Sequence, residues 1–427
     1  MATSIAVGIT LWAYSTGWTA TVLTPGLSSG ASMAVRSDGT VHVAYSAGAL
    51  HYATNAGGRW TDTLIDANGS RSNGPTASPA LTIDAAGTIR VAYKCSDEQA
   101  RDCIRIATEQ GTEWTVETAV TANYLWQPFL AVDTNGQVHI VYTYVPAVIG
   151  SVESRIQVEY LARSNGSWNN STVVTVYAPA MYEGVATDIA VDGQGNPYVA
   201  VSAAPTAGGI GYYARGTTGW EFHPLTNASS ANDCIRMRTD GIGALHVAYP
   251  ITSSGRTVIE YTTNAGGTWA RTDLNADAAP DTCVALAVDS VGRVHVLYEG
   301  RAGALMHATN AAGDWRAEEV GDAHPESSAS SGLGIGIGPG THVHMVTTDS
   351  QPSYNRLLHV TNIVDSSNFA DYFGHASPTV QTEILVGVTA VIAVLVVERG
   401  LRWRTARMAR RASGRMLYER IRTDRPP

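Results

Sequence analysis

The chain has 427 residues, of which 44% are hydrophobic and only 15% charged, and it contains 42 glycines. Such a chain is long enough to bury an ample core, and its apolar content excludes an intrinsically disordered protein. The formal net charge of −9 gives no reason to expect a nucleic-acid partner.

One phrase recurs along the chain: an apolar strand, a turn that ends on Gly, and a second strand that resembles Val-His-Val-Ala-Tyr. The seven copies of the second strand are Val41 to Tyr45, Ile89 to Tyr93, Val138 to Tyr142, Pro197 to Val201, Leu245 to Tyr249, Val294 to Tyr298 and Val343 to Thr347. Self-similarity at a period of about 40 to 50 residues is typical of a radial array of sheets. The repeat therefore predicts a β-propeller.

A series of tryptophans runs alongside this phrase. The seven members are Trp18, Trp60, Trp114, Trp168, Trp220, Trp269 and Trp315, and the first and last are 297 residues apart, or 49.5 per blade. Apolar residues alternate with period two throughout, which predicts strands A to D in each repeat, with the Trp beginning strand D. We predict an all-β fold, a seven-bladed β-propeller of four-stranded blades over residues 1–363.

The two ends of the array complement each other. The last repeat supplies strands A, B and C but no Trp strand, whereas Trp18 to Leu23 is a Trp strand without its own A and B. The N-terminal strand is therefore expected to close the last blade, which removes an exposed sheet edge.

Aspartates precede the glycine of the turn between strands A and B by three residues, in five repeats: Asp84, Asp133, Asp192, Asp240 and Asp289. Asp caps a type I turn through its own backbone, so we interpret these carboxylates as hairpin chemistry.

Histidines occupy one position of strand B in five repeats: His42, His139, His246, His295 and His344. Equivalent positions in different blades lie around a ring and cannot converge on one metal ion. We expect each imidazole to bond the backbone of a neighbouring blade, and we predict no metal and no cofactor.

The four cysteines form two plausible pairs. Cys95 and Cys103 flank the B–C loop of blade two, and Cys234 and Cys283 each lie six residues before the turn Asp in adjacent blades. These positions predict two disulfides and an oxidising compartment.

Charged residues interrupt the innermost strands of blades four and five. Two residues before the turn Asp, blade five carries Arg238 where blades one to four and six carry Ala or Thr; two residues further back it carries Arg236, and blade four carries Asp188. Cations at the tunnel wall could bind an anionic ligand. The interpretation we favour is an ion pair between Asp188 and Arg236 across adjacent blades.

A family resemblance follows from the turn before one Trp strand. Thr262-Thr263-Asn264-Ala265-Gly266-Gly267-Thr268-Trp269 resembles the Asp-box of sialidase-type (BNR-repeat) propellers, with Asn in place of Asp, and Ala53 to Trp60 is a looser copy. The resemblance covers residues 5 to 363 and implies the fold, not the activity. The chain has no Phe/Tyr-Arg-Ile-Pro segment, nor a set of three Arg with a Tyr–Glu pair, so we expect no enzyme activity.

The C-terminal region differs from the repeats. We assign residues 364–381 to a linker, 382–403 to a single transmembrane helix and 404–427 to an Arg-rich cytoplasmic tail, around the uncharged run Ile384 to Val397. From Glu398 onward, ten Arg against three acidic residues give +7, which leaves −16 for the remainder. The predicted anchor residues are Ile384, Gly387, Val391, Leu395, Arg399, Arg402, Trp403 and Arg404.

These features predict a membrane-anchored, non-catalytic binding or scaffold module. The leading hypothesis is an accessory subunit of a bacterial inner-membrane complex, with the propeller on the periplasmic or extracellular side and the C-terminus cytoplasmic. Its expected partners are other integral membrane subunits and a bilayer with an anionic cytoplasmic face. A surface lectin that binds glycan is the alternative, and a divergent sialidase-like glycoside hydrolase is the third hypothesis. The amino terminus lacks the basic region of a signal peptide, so export is expected to use an upstream start or the C-terminal segment.

Overall fold

Each repeat folds as one antiparallel sheet of four strands, connected in the order A, B, C, D. The structure is a computed structural model, and it describes residues 18–24, 30–69, 78–149, 153–164, 166–179, 185–202, 209–226, 234–280, 282–301, 303–320, 332–351 and 354–362. All of them belong to one compact unit.

The 28 strands of the described residues are numbered in chain order. Strand β1 (Thr19–Thr24) comes first and is followed by the strands of blade one, β2 (Ala31–Val35), β3 (Val41–Ser46), β4 (Leu50–Thr54) and β5 (Thr61–Asp66). Blade two has β6 (Ala80–Ile83), β7 (Ile89–Ser96), β8 (Asp102–Gln110) and β9 (Glu113–Ala122). Blade three has β10 (Phe129–Val132), β11 (Val138–Ile149), β12 (Glu153–Ser164) and β13 (Ser167–Pro179).

The remaining blades follow the same order. Blade four has β14 (Thr187–Val191), β15 (Pro197–Val201), β16 (Ile210–Arg215) and β17 (Trp220–Thr226). Blade five has β18 (Arg236–Thr239), β19 (Leu245–Ser253), β20 (Arg256–Thr263) and β21 (Ala270–Ala278). Blade six has β22 (Val284–Val288), β23 (Val294–Glu299), β24 (Leu305–Ala312) and β25 (Asp314–Glu319). Blade seven has β26 (Gly334–Ile337), a 3₁₀ turn (Pro339–Thr341), β27 (Val343–Gln351) and β28 (Tyr354–Thr361).

Strand β1 pairs with β28 and so becomes the fourth strand of blade seven, with Thr19 opposite Thr361. The seven-bladed prediction is confirmed, and the closing strand is the one that the split Trp series indicates. Each strand A contacts the strands A of the blades on either side, which closes the ring around a central tunnel.

Hydrophobic clusters fill the seven interfaces between neighbouring blades. Strand B is the most buried element: every residue of β3 is buried, whereas four of the six residues of β5, the outermost strand of that blade, are exposed. The blades therefore hold one another through their faces, as expected when a single sheet cannot bury its own apolar surface.

Blades seven and one approach most closely at the glycines of β26. A Cβ on Gly334 would lie 2.8 Å from Val346 Cγ2 and 3.0 Å from Met33 Cγ. A Cβ on Gly336 would lie 2.7 Å from Val35 Cγ2. Glycine is required there because the neighbouring blade occupies the space of a side chain.

Candidate functional site

Both predicted disulfides are present. Cys95 and Cys103 lie opposite each other on β7 and β8, with a Cα separation of 4.8 Å. Cys234 and Cys283 have a Cα separation of 5.4 Å and join blade five to blade six. The second bond therefore ties two strands A together at the tunnel wall.

The aspartates of the A–B turns are structural, as expected. In all five turns, Oδ1 accepts the backbone N–H groups two and four residues further on. The glycine three residues after each Asp has φ between 81° and 88°. That conformation suits glycine and explains why the Asp and Gly recur together.

The strand-B histidines are also structural, but the predicted bonding partner was wrong. Each Nδ1 is hydrogen-bonded to a side chain on strand C of its own blade, either a Tyr hydroxyl or the Nε2 of a His, and not to the backbone of a neighbouring blade. The pairs are His42–Tyr52, His139–Tyr160, His246–Tyr261, His295–His307 and His344–His359, with separations of 2.5 to 3.1 Å. Strands B and C pair in a register that makes these residues diagonal neighbours, with His42 opposite Thr54 and Tyr52 opposite Ala44, so the bond stays within the sheet. Within the described residues, no group of three or more His, Cys, Asp or Glu is placed to hold a metal ion.

The same strand-C aromatics connect each blade to the next. All five, together with Tyr212 on strand C of blade four, lie with their ring centroids 5.0 to 5.6 Å from the Trp of the following blade: Tyr52–Trp114, Tyr160–Trp220, Tyr212–Trp269, Tyr261–Trp315, His307–Trp18 and His359–Trp60. Three of these contacts are edge-to-face and three are tilted, and aromatic pairs contribute about 0.5–1.5 kcal/mol beyond their buried area. Sequence reasoning found the Trp series but missed its partners, although an aromatic residue recurs in strand C.

The Asn of the Asp-box has a structural role. Asn264 Oδ1 accepts the backbone N–H of Leu245, the first residue of strand B, at 2.7 Å. Asn55, Asn310 and Asn362 make the equivalent bond at 2.7 to 2.8 Å in their own blades. Only an acceptor oxygen is needed, which explains why Asn replaces the Asp of the sialidase-type motif.

In the tunnel, the predicted ion pair forms with a different arginine. Asp188 Oδ2 accepts Arg238 Nη1 at 2.9 Å, so the prediction that Arg236 is the partner of Asp188 was wrong. Arg236 instead donates through Nη1 to the carbonyl oxygen of Ile235 at 2.8 Å and through Nη2 to Cys283 Sγ at 3.6 Å. Burial lowers the pKa of Arg236, and the nearby charge of Asp188 opposes that shift.

These charges face a cavity of about 80 Å³ within the ring of strands A. All seven strands A contribute to its wall, together with the segments just before them. Polar residues of the wall include Ser32, Ser78 and Gln127.

A second, larger concavity lies between blades two and three. This cleft of about 570 Å³ is lined by Trp168, Arg163, Glu117, Gln110 and Gln137, among others. Glu117 accepts the indole N–H of Trp168 at 2.6 Å and pairs with Arg163 at 3.0 Å. An indole beside several amide and charged groups is chemically suited to a polyhydroxylated ligand.

A Tyr–Glu pair is present but buried. Tyr249 donates its phenolic O–H to Glu260 Oε1 at 2.5 Å, and the exposed fraction of Tyr249 is 0%. Burial raises the pKa of Tyr249, which disfavours the phenolate that a nucleophile needs. Tyr249 and Glu260 lie opposite each other on β19 and β20, so their bond joins these two strands. Neither residue lines the tunnel cavity.

The predicted linker, helix and tail lie outside the described residues, together with all eight predicted anchor residues from Ile384 to Arg404. Within the described residues, no helix combines the length and the apolar character that crossing a bilayer requires.

No protein-family model and no curated protein matches the chain. Among solved structures it is similar to AofleA from Arthrobotrys oligospora, with a TM-score of 0.47 and 12% identity over 71% of this chain and 90% of that one. It is similar to the fungal lectin of Aleuria aurantia, described as a six-bladed β-propeller with fucose recognition, with a TM-score of 0.45 and 14% identity over 72% and 98% of the two chains. A leech intramolecular trans-sialidase has a TM-score of 0.44 and 11% identity over 65% and 66%.

Proposed function

We propose that the protein is a membrane-anchored, non-catalytic β-propeller that acts as a binding module outside the cytoplasm, as an accessory subunit of a bacterial membrane complex. The observation that carries the location is the pairing of all four cysteines in two disulfides, which are typical of oxidising compartments. The division of charge, +7 in the predicted tail and −16 elsewhere, supports the same orientation through the positive-inside rule.

The proposed partner surface is the B–C hairpin of blade three. Its strands β11 and β12 have 12 residues each, against 6 and 5 in the equivalent strands of blade one. Tyr177 on β13 lies opposite Arg155 of this hairpin, and the carbonyl oxygen of Tyr124 accepts the backbone N–H of Val145 at the base of the hairpin. Both tyrosines are exposed, Tyr177 by 52% and Tyr124 by 66%. Tyr124 also has a positive φ of 59°, which is uncommon for a bulky residue. Exposed tyrosines are enriched where protein partners bind.

Membrane attachment is tested by the double variant Val391→Arg and Leu395→Arg. Each charge near the centre of a spanning helix costs about 2.5–3.5 kcal/mol, so the propeller should move to the soluble fraction. The matched control, Val391→Leu with Leu395→Val, should stay in the membrane. Protease added to intact spheroplasts should degrade the wild-type propeller, and a protected propeller would contradict the orientation.

The binding role is tested by purification in mild detergent. A stoichiometric integral membrane partner should accompany the wild type and be lost from the double variant Tyr124→Ser and Tyr177→Ser. Val291→Ser removes an equally exposed apolar residue from the A–B turn of blade six and should retain the partner. Equal recovery with both variants would refute the hairpin surface.

Glycan binding is the second candidate, and the cleft between blades two and three is the observation that favours it. A glycan array would identify a ligand, and Arg163→Met should weaken its binding by at least tenfold. An array without reproducible binding, or full binding by the variant, would exclude this cleft as the glycan site.

A further inference from the structure

The tunnel cavity carries an unbalanced positive charge. Among the residues that line it, the charged ones are Asp188, Arg236 and Arg238, a net charge of +1. The other strands A contribute small or apolar side chains to the wall, such as Ala80, Ala285 and Gly334. The cavity therefore has two guanidinium groups from one strand in its wall, together with polar residues such as Ser32 and Gln127.

The carboxylate of Asp188 is already occupied. Its Oδ1 accepts the backbone N–H of Ile189, and its Oδ2 accepts both the backbone N–H of Met237 and Arg238 Nη1, all at 2.9 Å. Asp188 is buried, with an exposed fraction of 4%. These bonds direct the carboxylate to β18 and to Arg238, and they leave Arg236 without a direct acidic partner.

Arg236 is held in place by groups that do not neutralise it. Its guanidinium contacts the Ile235 carbonyl and Cys283 Sγ, and it lies 5.1 Å from the ring centroid of Phe129. No carboxylate of the described residues lies within 4 Å of its nitrogens. The Cys234–Cys283 bond fixes β18 against β22, so this guanidinium is positioned by a rigid wall.

Donors for an anion remain on both arginines. The side chain of Arg238 is 44% exposed, and its described bonds to Asp188 and to the Met237 carbonyl use Nη1 only. Arg236 keeps its Nε–H, and Gln127 and Ser32 add polar groups to the wall. A volume of about 80 Å³ admits a few water molecules or one small anionic group.

We propose that this cavity is a binding site for a carboxylate group, held by Arg236 and Arg238, with the occupied Asp188 beside Arg238. Arginine is suited to this task because its planar fork matches the two oxygens of a carboxylate. The group could belong to a small free acid or to an acidic side chain of a polypeptide that enters the tunnel. The inference does not depend on the proposed membrane anchoring.

The test uses the full-length protein in detergent and measures binding by saturation-transfer NMR and calorimetry. The probes are sodium acetate and the blocked tripeptide N-acetyl-Gly-Asp-Gly-amide, with sodium chloride at equal ionic strength as the control. We expect saturable acetate binding that chloride does not reproduce. Peptide binding that acetate displaces would identify a polypeptide side chain as the source, and acetate binding alone would identify a free acid.

Variants then locate the site. Arg236→Met should weaken acetate binding by at least tenfold and Arg236→Lys by less, whereas Arg316→Met removes an exposed charge elsewhere and should have no effect. The wild-type NMR measurement stands even if Arg236→Met fails to fold. No acetate binding to the wild type, equal binding of chloride, or unchanged affinity in Arg236→Met would each overturn the proposal.

Discussion

Acid should destabilise the propeller through its buried histidines, and His42 allows the effect to be isolated. The pKa of His42 is lowered from 6.5 to about 4, chiefly by burial and then by the charge of Arg36, with the charge of Asp38 opposing the shift. The folded-state pKa lies below the unfolded value, so the unfolded chain binds the proton more tightly. The stabilising effect of a neutral His42 is therefore complete above pH 6.5 and is lost as the pH falls towards 4.

The magnitude follows from the same pKa values. One pKa unit corresponds to about 1.4 kcal/mol, so His42 should reduce the free energy of unfolding by about 3 kcal/mol between pH 7.5 and pH 4. Replacing His42 with Gln removes this dependence, although it also disturbs the bond to Tyr52 and lowers stability at every pH.

Urea unfolding at a series of pH values from 7.5 to 4 measures the effect. The free energy of unfolding of the wild type should fall by about 3 kcal/mol more than that of His42→Gln over this range. Val291→Gln changes an exposed side chain that carries no charge and should leave the wild-type pH dependence intact. Identical pH dependence in the wild type and in His42→Gln would refute the reasoning.

Three further predictions concern the framework, and urea unfolding at pH 7 checks each. Gly334→Ala should destabilise the protein by about 1–3 kcal/mol because its Cβ would crowd Val346 of its own blade and Met33 of blade one, whereas Gly193→Ala, with open space around it, should be neutral or slightly stabilising. Asn264→Ala should cost about 1–3 kcal/mol because it leaves a buried N–H unpaired, and Asn264→Asp should retain most of the stability. Replacing both Cys234 and Cys283 with Ala opens a loop of 49 residues and should cost up to about 4 kcal/mol, and no loss would contradict the interblade bond.

The repeat could be read from the sequence because each blade uses the same local chemistry. The Asp and Gly of the A–B turns satisfy the backbone of a single hairpin, so their spacing identifies the turn without any knowledge of the rest of the fold. The Trp series predicted the blade count because one Trp recurs at the start of the outermost strand of each blade. The missing Trp strand of the last repeat indicated how the ring closes.

Side-chain partners were harder to predict because they depend on register and on small rotations between blades. His42 meets Tyr52 only when β3 and β4 pair with Ala44 opposite Tyr52. In the tunnel, Arg236 and Arg238 are two residues apart and point to the same face, so sequence alone could not tell which one reaches Asp188.

Positions that repeat in every blade stabilise the ring, so function should be sought where one blade departs from the others. The His–Tyr bonds, the Trp contacts and the Asn caps recur around the ring and account for packing. Blade three departs through its long hairpin, and blade five is the blade whose innermost strand carries two arginines. Arg238 joins blade five to Asp188 of blade four, whereas Arg236 has no acidic partner among the described residues. Its buried charge carries a desolvation cost, which a bound anion would offset. Experiments on function should therefore address the tunnel and the blade-three hairpin before the recurring A–B turns.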